Sequence, residues 1–483
     1  MPTVGAVVSA AVHCLLGESV LSQLAILNPV AQDVRRFLVT SASLRYYGDQ
    51  YSGNDTDVVN FGDEGEDDAT TAMPALWAAT TSSCRVGFLC GGLVMSALGD
   101  RLGRRKTTML LNNGIFIASC FLQWQAVELG LFELLIFGRF LSGVCCGISN
   151  LLALFMAECC ARQNAAVKVG CTLSVFSYFW IAMGIVLTQT FLFGTSSAWH
   201  YALLVPAIPS AAHMAFACYV HESPRYLYLR ERDEASAKSA FLFYSGRTSS
   251  WDDMKADLDD ERRMARGMVG VSWRAILTRR NFRWPFLLCL VTRLASSLCG
   301  GQIGEQYSTE LLEQMGVATE HSQLITLVLI NLLPVVITLA LLLFGGLLLL
   351  LVGNEGWPWL TATALFVIQV GYSMAIKFGL IVLPNELVPL VVRAKTAGLN
   401  VTLGAAIMVW ITAAYPFLEQ WTAAVLLALG VAPFLFLVLY LPETRGKTVA
   451  ELASRWPTDD NADVTYLLHG RSEIDDEQKT TKM

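Results

Sequence analysis

His13, Glu18, Arg293, Glu305 and Lys377 each stand inside stretches that are otherwise apolar. A charge is too costly in hydrocarbon to sit there idle, so such residues face protein or a water-filled path, where they pair or hold a polar solute. A second group is crowded into one turn, Gly99-Asp100-Arg101-Leu102-Gly103-Arg104-Arg105-Lys106. Arginine forks grip carboxylates bidentately, and acids and bases recur together near the ends of apolar runs: Glu158 with Arg162, Glu222 with Arg225, Glu386 with Arg393, and Glu443 with Arg445. The chemistry they suit is a latch that ties helix ends together and lets go again, since exposed pairs contribute only about 0–1 kcal/mol each. Plain basic flanking of membrane segments accounts for the same residues. Nothing in the sequence has the spacing of a metal site, a phosphate-cradling loop or a nucleophile elbow, and His221 beside Glu222 reads as a loop residue. No enzyme activity, metal, cofactor or nucleic-acid partner is expected; the expected partners are a small-molecule solute and the lipid bilayer.

The elements that must position these residues are membrane spans. Of 483 residues, 54% are hydrophobic and 15% charged, and the mean hydropathy is +0.49. That is more apolar surface than one soluble core can hide. The net charge of -6 says little, because the charges are segregated. Val30–Thr70 holds nine acidic and three basic residues, whereas Glu222–Arg283 holds thirteen basic and ten acidic ones. Lys and Arg mark the cytoplasmic side, so the first loop is expected outside and the long segment inside. The twelve cysteines fall mostly in apolar runs and read as small buried hydrophobes.

At about 20 apolar residues per span, the chain divides into a first membrane bundle at 1–220, with an external acidic loop at 30–72, and a cytoplasmic connector with short helices at 221–283. A second bundle at 284–441 and a cytoplasmic tail at 442–483 follow. Spans are expected at 5–29, 73–98, 107–128, 132–157, 168–193 and 199–220, then at 284–312, 323–352, 358–384, 395–417 and 422–441. Asn54-Asp55-Thr56 is a glycosylation sequon in the external loop, with an unmodified polar loop as the alternative.

In order and spacing, Asp100–Arg105, Gly138–Gly143 with Glu158, Glu222–Leu227 and Pro442–Thr448 resemble the signatures of the sugar-porter family of the major facilitator superfamily. Asn28-Pro29, Gly184–Gln189 and Tyr307-Ser308-Thr309 are similar to its facilitative glucose transporters. The resemblance runs from the first span to about residue 452. It implies an all-α membrane fold of two helical bundles, alternating access to a site near the midplane, and facilitated diffusion of a hexose-like sugar or polyol at the plasma membrane. The cytoplasmic gate would comprise Asp100, Arg101, Arg104, Arg105, Glu158, Arg162, Glu222, Arg225, Glu386, Arg393, Glu443 and Arg445.

The substrate-binding candidates are Glu18, Gln23, Tyr178, Gln189, Arg293, Ser296, Ser297, Gln302, Lys377 and Asn400. Several depart from the family's pattern. Ser296 and Ser297 stand at its glutamines in span seven and Gln302 at its asparagine. Tyr178 stands at the glutamine of span five, and Gly404 at the asparagine of span eleven, with Asn400 one turn earlier. Glu18 and Arg293 lie at nearly equivalent depths of equivalent spans, and are expected either to pair across the cavity or to hold a polar solute between them. A structural ion pair also fits. These departures keep open an organic-ion or proton-coupled carrier and a transport-deficient regulatory relative.

The stretch 323–352 departs most. The resemblance implies two spans there joined by a basic turn. The chain has one apolar run without a basic residue, and its thirty residues reach roughly 45 Å as a helix, enough for one span. About eleven spans result, one fewer than implied. A broken or re-entrant segment, a spliced or misread form, and an inverted second half all fit.

Overall fold

The computed structural model describes residues 4–46, 63–159, 176–177, 179–245, 250–252, 254–256, 258–259, 277–278, 280–298, 312, 390–418 and 421–440. Asn54, Arg162, Tyr178, Gln302, Lys377, Glu386, Glu443, Arg445 and the stretch 323–352 lie outside the described residues, as do the side chains of Ser296 and Arg393.

Regular structure among the described residues is helical throughout. The longest helices form where apolar runs meet small residues. α1 is Val4–Val12, α2 Ala31–Tyr46, α3 Asp63–Leu102, α4 Asn112–Glu128 and α5 Phe132–Glu158. α3 and α5 cross at a seam of glycines, Gly87 and Gly91 against Gly143 and Gly147, where an added Cβ at any of the four would collide with the opposite backbone. Without a hydrophobic drive between helices in lipid, this close van der Waals approach is what holds them together. α6 (Trp199–Leu204) and α7 (Ala207–Phe216) pack on α4. α8 (Glu234–Ser245) follows in the connector. α9 (Arg280–Leu298), α10 (Leu390–Leu418) and α11 (Trp421–Tyr440) belong to the second half, and α10 packs along α3. Among the described residues, Val7–Leu24 and Phe132–Met156 are long and apolar enough to cross a membrane.

The first span is not one α-helix. After α1 the chain makes a π-helical turn, His13–Gly17, and then a 3₁₀ stretch, Ser19–Leu24. Gly17, Ser19 and Ser22 are weak helix formers, and the Ser22 hydroxyl donates to the Ser19 carbonyl at 2.8 Å. Leaving α geometry frees the Gln23 carbonyl for a partner on another helix.

The segment 30–72, expected as an external loop, is helical at both ends. Its first part is α2, and the chain is already helical at Asp63. Charges in α2 mask an apolar face, Val34, Phe37 and Leu38, that packs in the cluster of Trp77, Phe132 and Trp199. Arg35 lies over the Trp77 ring at 4.9 Å. Ser41 donates to the Gly130 carbonyl and accepts from the Phe132 N–H, pinning α2 to the turn before α5. A run of acidic residues opens α3, where the helix dipole favours them.

Candidate functional site

The basic turn after α3 builds the first site. Gly103 has a φ of +94°, a conformation that glycine adopts at no steric cost. This turn aims the Arg105 N–H at Glu222, whose carboxylate oxygens accept it at 2.9 and 3.1 Å. The Ser223 N–H donates to the same carboxylate at 2.9 Å. Arg104 donates to Asp100 at 2.7 Å and to Glu158 at 3.4 Å, with its guanidinium 5.4 Å from the Tyr226 ring centroid. Ser223 caps the turn Pro224–Tyr226 by accepting from the Tyr226 N–H, and donates to Glu158 at 2.7 Å. Arg230 reaches Asp100 at 2.6 Å, and Arg105 donates to the Val220 carbonyl at 2.8 Å. Arg101 and Lys106 are exposed.

The network joins the ends of α3 and α5 to the start of the connector. Among the described residues, all its members come from the first half of the chain. Glu222 takes main-chain donors here, because the Gly103 turn delivers an N–H that needs no side chain to reach it. Arg225 lies half-buried on the turn Pro224–Tyr226. Ser223, Tyr226 and Arg230 were not among the sequence candidates. Ser-Pro is an N-cap followed by N1 proline, a local signal for Ser223 beside the Glu222–Leu227 signature.

Burial pushes the Glu222 carboxyl above its ordinary pKa, against the opposing pull of the Arg105 and Ser223 N–H groups and the Arg105 charge. Burial likewise opposes the charge on Arg104, but Glu158 and Asp100 outweigh it and raise its pKa. Since Glu222 binds its proton more tightly folded than unfolded, its contribution to stability is complete below about pH 4.5 and is lost as pH rises through the folded value. Thermal melts of the wild type and Glu222→Gln across pH 4–8 should therefore diverge, the glutamine variant gaining relative stability as pH rises. A constant offset would rule this out.

His221 stacks on Phe243 at 4.5 Å, and its carbonyl accepts from the Tyr244 hydroxyl at 2.6 Å. Burial and then Arg105 lower its pKa. His13 has a structural place too. The Asn113 Nδ2 donates to the Met109 carbonyl at 2.8 Å and to His213 Nδ1 at 2.9 Å, so His213 carries its proton on Nε2 and donates to His13 Nδ1 at 3.0 Å.

A second site lies deeper. Arg139 of α5, 1% exposed, donates to the Gln23 carbonyl at 2.7 Å and to its side-chain oxygen at 3.1 Å. The Gln23 amide nitrogen meets the Leu203 carbonyl at 3.5 Å. Gln189 is buried and donates to the Ile185 carbonyl within its own segment, a helical stretch at 179–187 and the turns after it. Glu18 is buried where the π turn meets the 3₁₀ stretch. In the second half, Arg293 of α9 lies against Gly404 of α10, its guanidinium filling the space that a Cβ there would take. Buried Ser297 stands one turn from Arg293, and buried Asn400 one turn from Gly404. Among the described residues, neither oxygen nor nitrogen of the Asn400 amide has a hydrogen-bond partner, nor does the Ser297 hydroxyl.

Residues 38–344 match the family model described as sugar (and other) transporter. The chain belongs to this family. It is 30% identical over 259 residues to the mouse solute carrier family 2, facilitated glucose transporter member 9, an alignment covering 53% of this chain and 47% of that protein. It is 31% identical over 262 residues to the human member 7, covering 53% and 49%. The family member thus spans about half the length of the curated relatives it matches. Its fold is similar to that of the inward-open xylose transporter from E. coli, with a TM-score of 0.67 at 17% identity, covering 93% of this chain and 100% of that one. It is a multi-pass, all-α membrane protein of the major facilitator superfamily fold.

Proposed function

We propose that the protein carries a hexose-like sugar or polyol across the plasma membrane by alternating-access facilitated diffusion, and that it is not an enzyme. The observation that carries this reading is the Asn400 amide and the Ser297 hydroxyl, buried and without partners among the described residues. An unmade hydrogen bond on a buried group costs about 1–3 kcal/mol, and sugar hydroxyls, which both donate and accept, suit an amide as well as a hydroxyl. Gln23, Gln189, Tyr178, Ser296, Gln302 and Lys377 complete the candidate site, with Glu18 and Arg293 pairing across it or flanking the solute. The network around Arg104 and Glu222 is the cytoplasmic latch of the first half, and Arg162, Arg225, Glu386, Arg393, Glu443 and Arg445 are proposed to extend it. Asn54 is the proposed glycosylation position. The amide of Gln23 facing Arg139 has no proton to exchange near neutral pH, which favours uncoupled transport.

Uptake of labelled glucose, fructose and a polyol into proteoliposomes tests the reading. Saturable uptake without a proton gradient is expected, and Asn400→Ala should raise KM about tenfold, the equivalent of one hydrogen bond of about 1.4 kcal/mol. Uptake that requires a proton gradient, or none of any of the three solutes, would overturn it.

A further inference from the structure

One face of α10 gathers groups from both halves of the chain. Asn400, Gly404 and Met408 follow one another along it at four-residue steps, about 6 Å of rise each. At the first step, the buried Asn400 amide has no hydrogen-bond partner among the described residues. At the second, the Arg293 guanidinium of α9 fills the space beside Gly404. At the third, Arg85 of α3 donates to the Met408 sulfur at 3.8 Å. Ser297, whose hydroxyl is likewise without a partner among the described residues, stands one turn from Arg293. Arg85 and Arg293 are both buried, at 2% and 4% exposure.

Like charges repel far more across a low-dielectric interior than in water. Two guanidiniums buried beside neighbouring turns of one helix therefore favour an anion between them. The Met408 thioether is a weak acceptor and neutralises nothing. A guanidinium carries five N–H donors, so one that is anchored to the protein still has donors to offer, and its fork matches a carboxylate. The amide and the hydroxyl beside the arginines suit hydroxyls instead. The solute that satisfies both sets has a carboxylate at one end and hydroxyls along the rest.

We propose that the preferred solutes of this carrier are sugar acids of hexose size, such as gluconate or glucuronate, with the carboxylate between Arg85 and Arg293 and the hydroxyls on Asn400 and Ser297. The proposal rests on the reading above, that the protein carries a hydroxylated solute at this place, and adds the solute's charge. It also gives a role to Arg85, which was not among the sequence candidates. Arg85 belongs to the first half and Arg293 to the second, so a carboxylate gripped by both ties the halves together around the bound solute, as alternating access requires. Each transport event moves one negative charge, which makes the flux sensitive to the membrane potential.

Proteoliposomes holding the full-length protein test this with labelled glucose, gluconate and glucuronate. The acids are expected to enter saturably, to compete with glucose, and to show a kcat/KM about tenfold above it, the equivalent of one added charge-assisted hydrogen bond. Valinomycin with an inward potassium gradient of about tenfold makes the lumen positive, and the acids should then accumulate about tenfold while glucose only equilibrates. In Arg85→Gln and in Arg293→Gln the acid-to-glucose ratio of kcat/KM should fall about tenfold. Arg85→Lys, which keeps the charge, should retain accumulation driven by the potential. The wild-type measurements decide the proposal even where a glutamine variant does not fold. Glucose uptake that neither acid inhibits, with no potential-driven entry of either, would overturn the proposal and leave the carrier reading standing. Uptake of none of the three would overturn both. An acid-to-glucose ratio unchanged in both folded glutamine variants would also overturn the proposal, since the two arginines would not hold the carboxylate.

Discussion

Gly103→Ala is expected to disassemble the latch and to lower the stability of the first half by several kcal/mol. The φ of +94° costs a residue with a Cβ about 1–3 kcal/mol. The new methyl group would also collide with the Glu222 carboxylate. Moving Glu222 aside leaves the Arg105 and Ser223 N–H groups without their acceptor, at about 1–3 kcal/mol for each that stays buried. Thermal melts of detergent-purified protein should show the loss. The Gly103→Ala/Glu222→Ala double variant separates its two causes, because it removes the collision and keeps the backbone strain. The double variant should be more stable than the sum of the single losses implies, by about 1 kcal/mol or more. Strict additivity would mean that turn and carboxylate do not act on each other.

Changing Gln23 is expected to have the largest effect on transport. Arg139 is buried with its Nη1 shared between two oxygens of this one residue. Gln23→Leu removes the side-chain oxygen, and with it one hydrogen bond to a charged group, at about 1.5–3 kcal/mol. Gln23→Glu keeps the shape and puts a titratable carboxylate against the guanidinium. Flux through the wild type should vary little between pH 6 and 8, whereas flux through Gln23→Glu should become pH-dependent as the new carboxylate gains and loses its proton in each orientation. Counterflow of a labelled sugar in proteoliposomes at a series of pH values measures this. A glutamate variant with the pH profile of the wild type would show that the Gln23–Arg139 contact does not change during transport.

Membrane character, helices over the long apolar runs of the first half and the basic turn after α3 are legible in the sequence. Each is a local property: a run of about 20 apolar residues, or a set of charges that cannot enter hydrocarbon. Local patterning failed where composition and packing disagree. The charges of α2 conceal the face of Val34, Phe37 and Leu38, and the apolar run at 5–29 conceals a change from α to π to 3₁₀ geometry. No count of hydrophobic residues reports which carbonyl is left open.

The pairing was decided in three dimensions. Arg104 meets Glu158 from 54 residues away, Arg105 meets Glu222 from 117, and Arg139 meets Gln23 from 116. The sequence by itself determined that acids and bases would gather at helix ends, since desolvation forbids them elsewhere in lipid. It set Glu222 beside Arg225, its neighbour in the chain, and could not name a partner further off. The fold brought it the main chain of Arg105, because the left-handed turn at Gly103 carries an N–H to the carboxylate. Likewise the sequence marked Arg293 as a charge in need of a place, and only the packing of α9 on α10 put it in the space left by Gly404. Hydropathy and charge act on each residue alone and can be read in order. Hydrogen bonds and steric fit act between residues that only the folded chain makes neighbours.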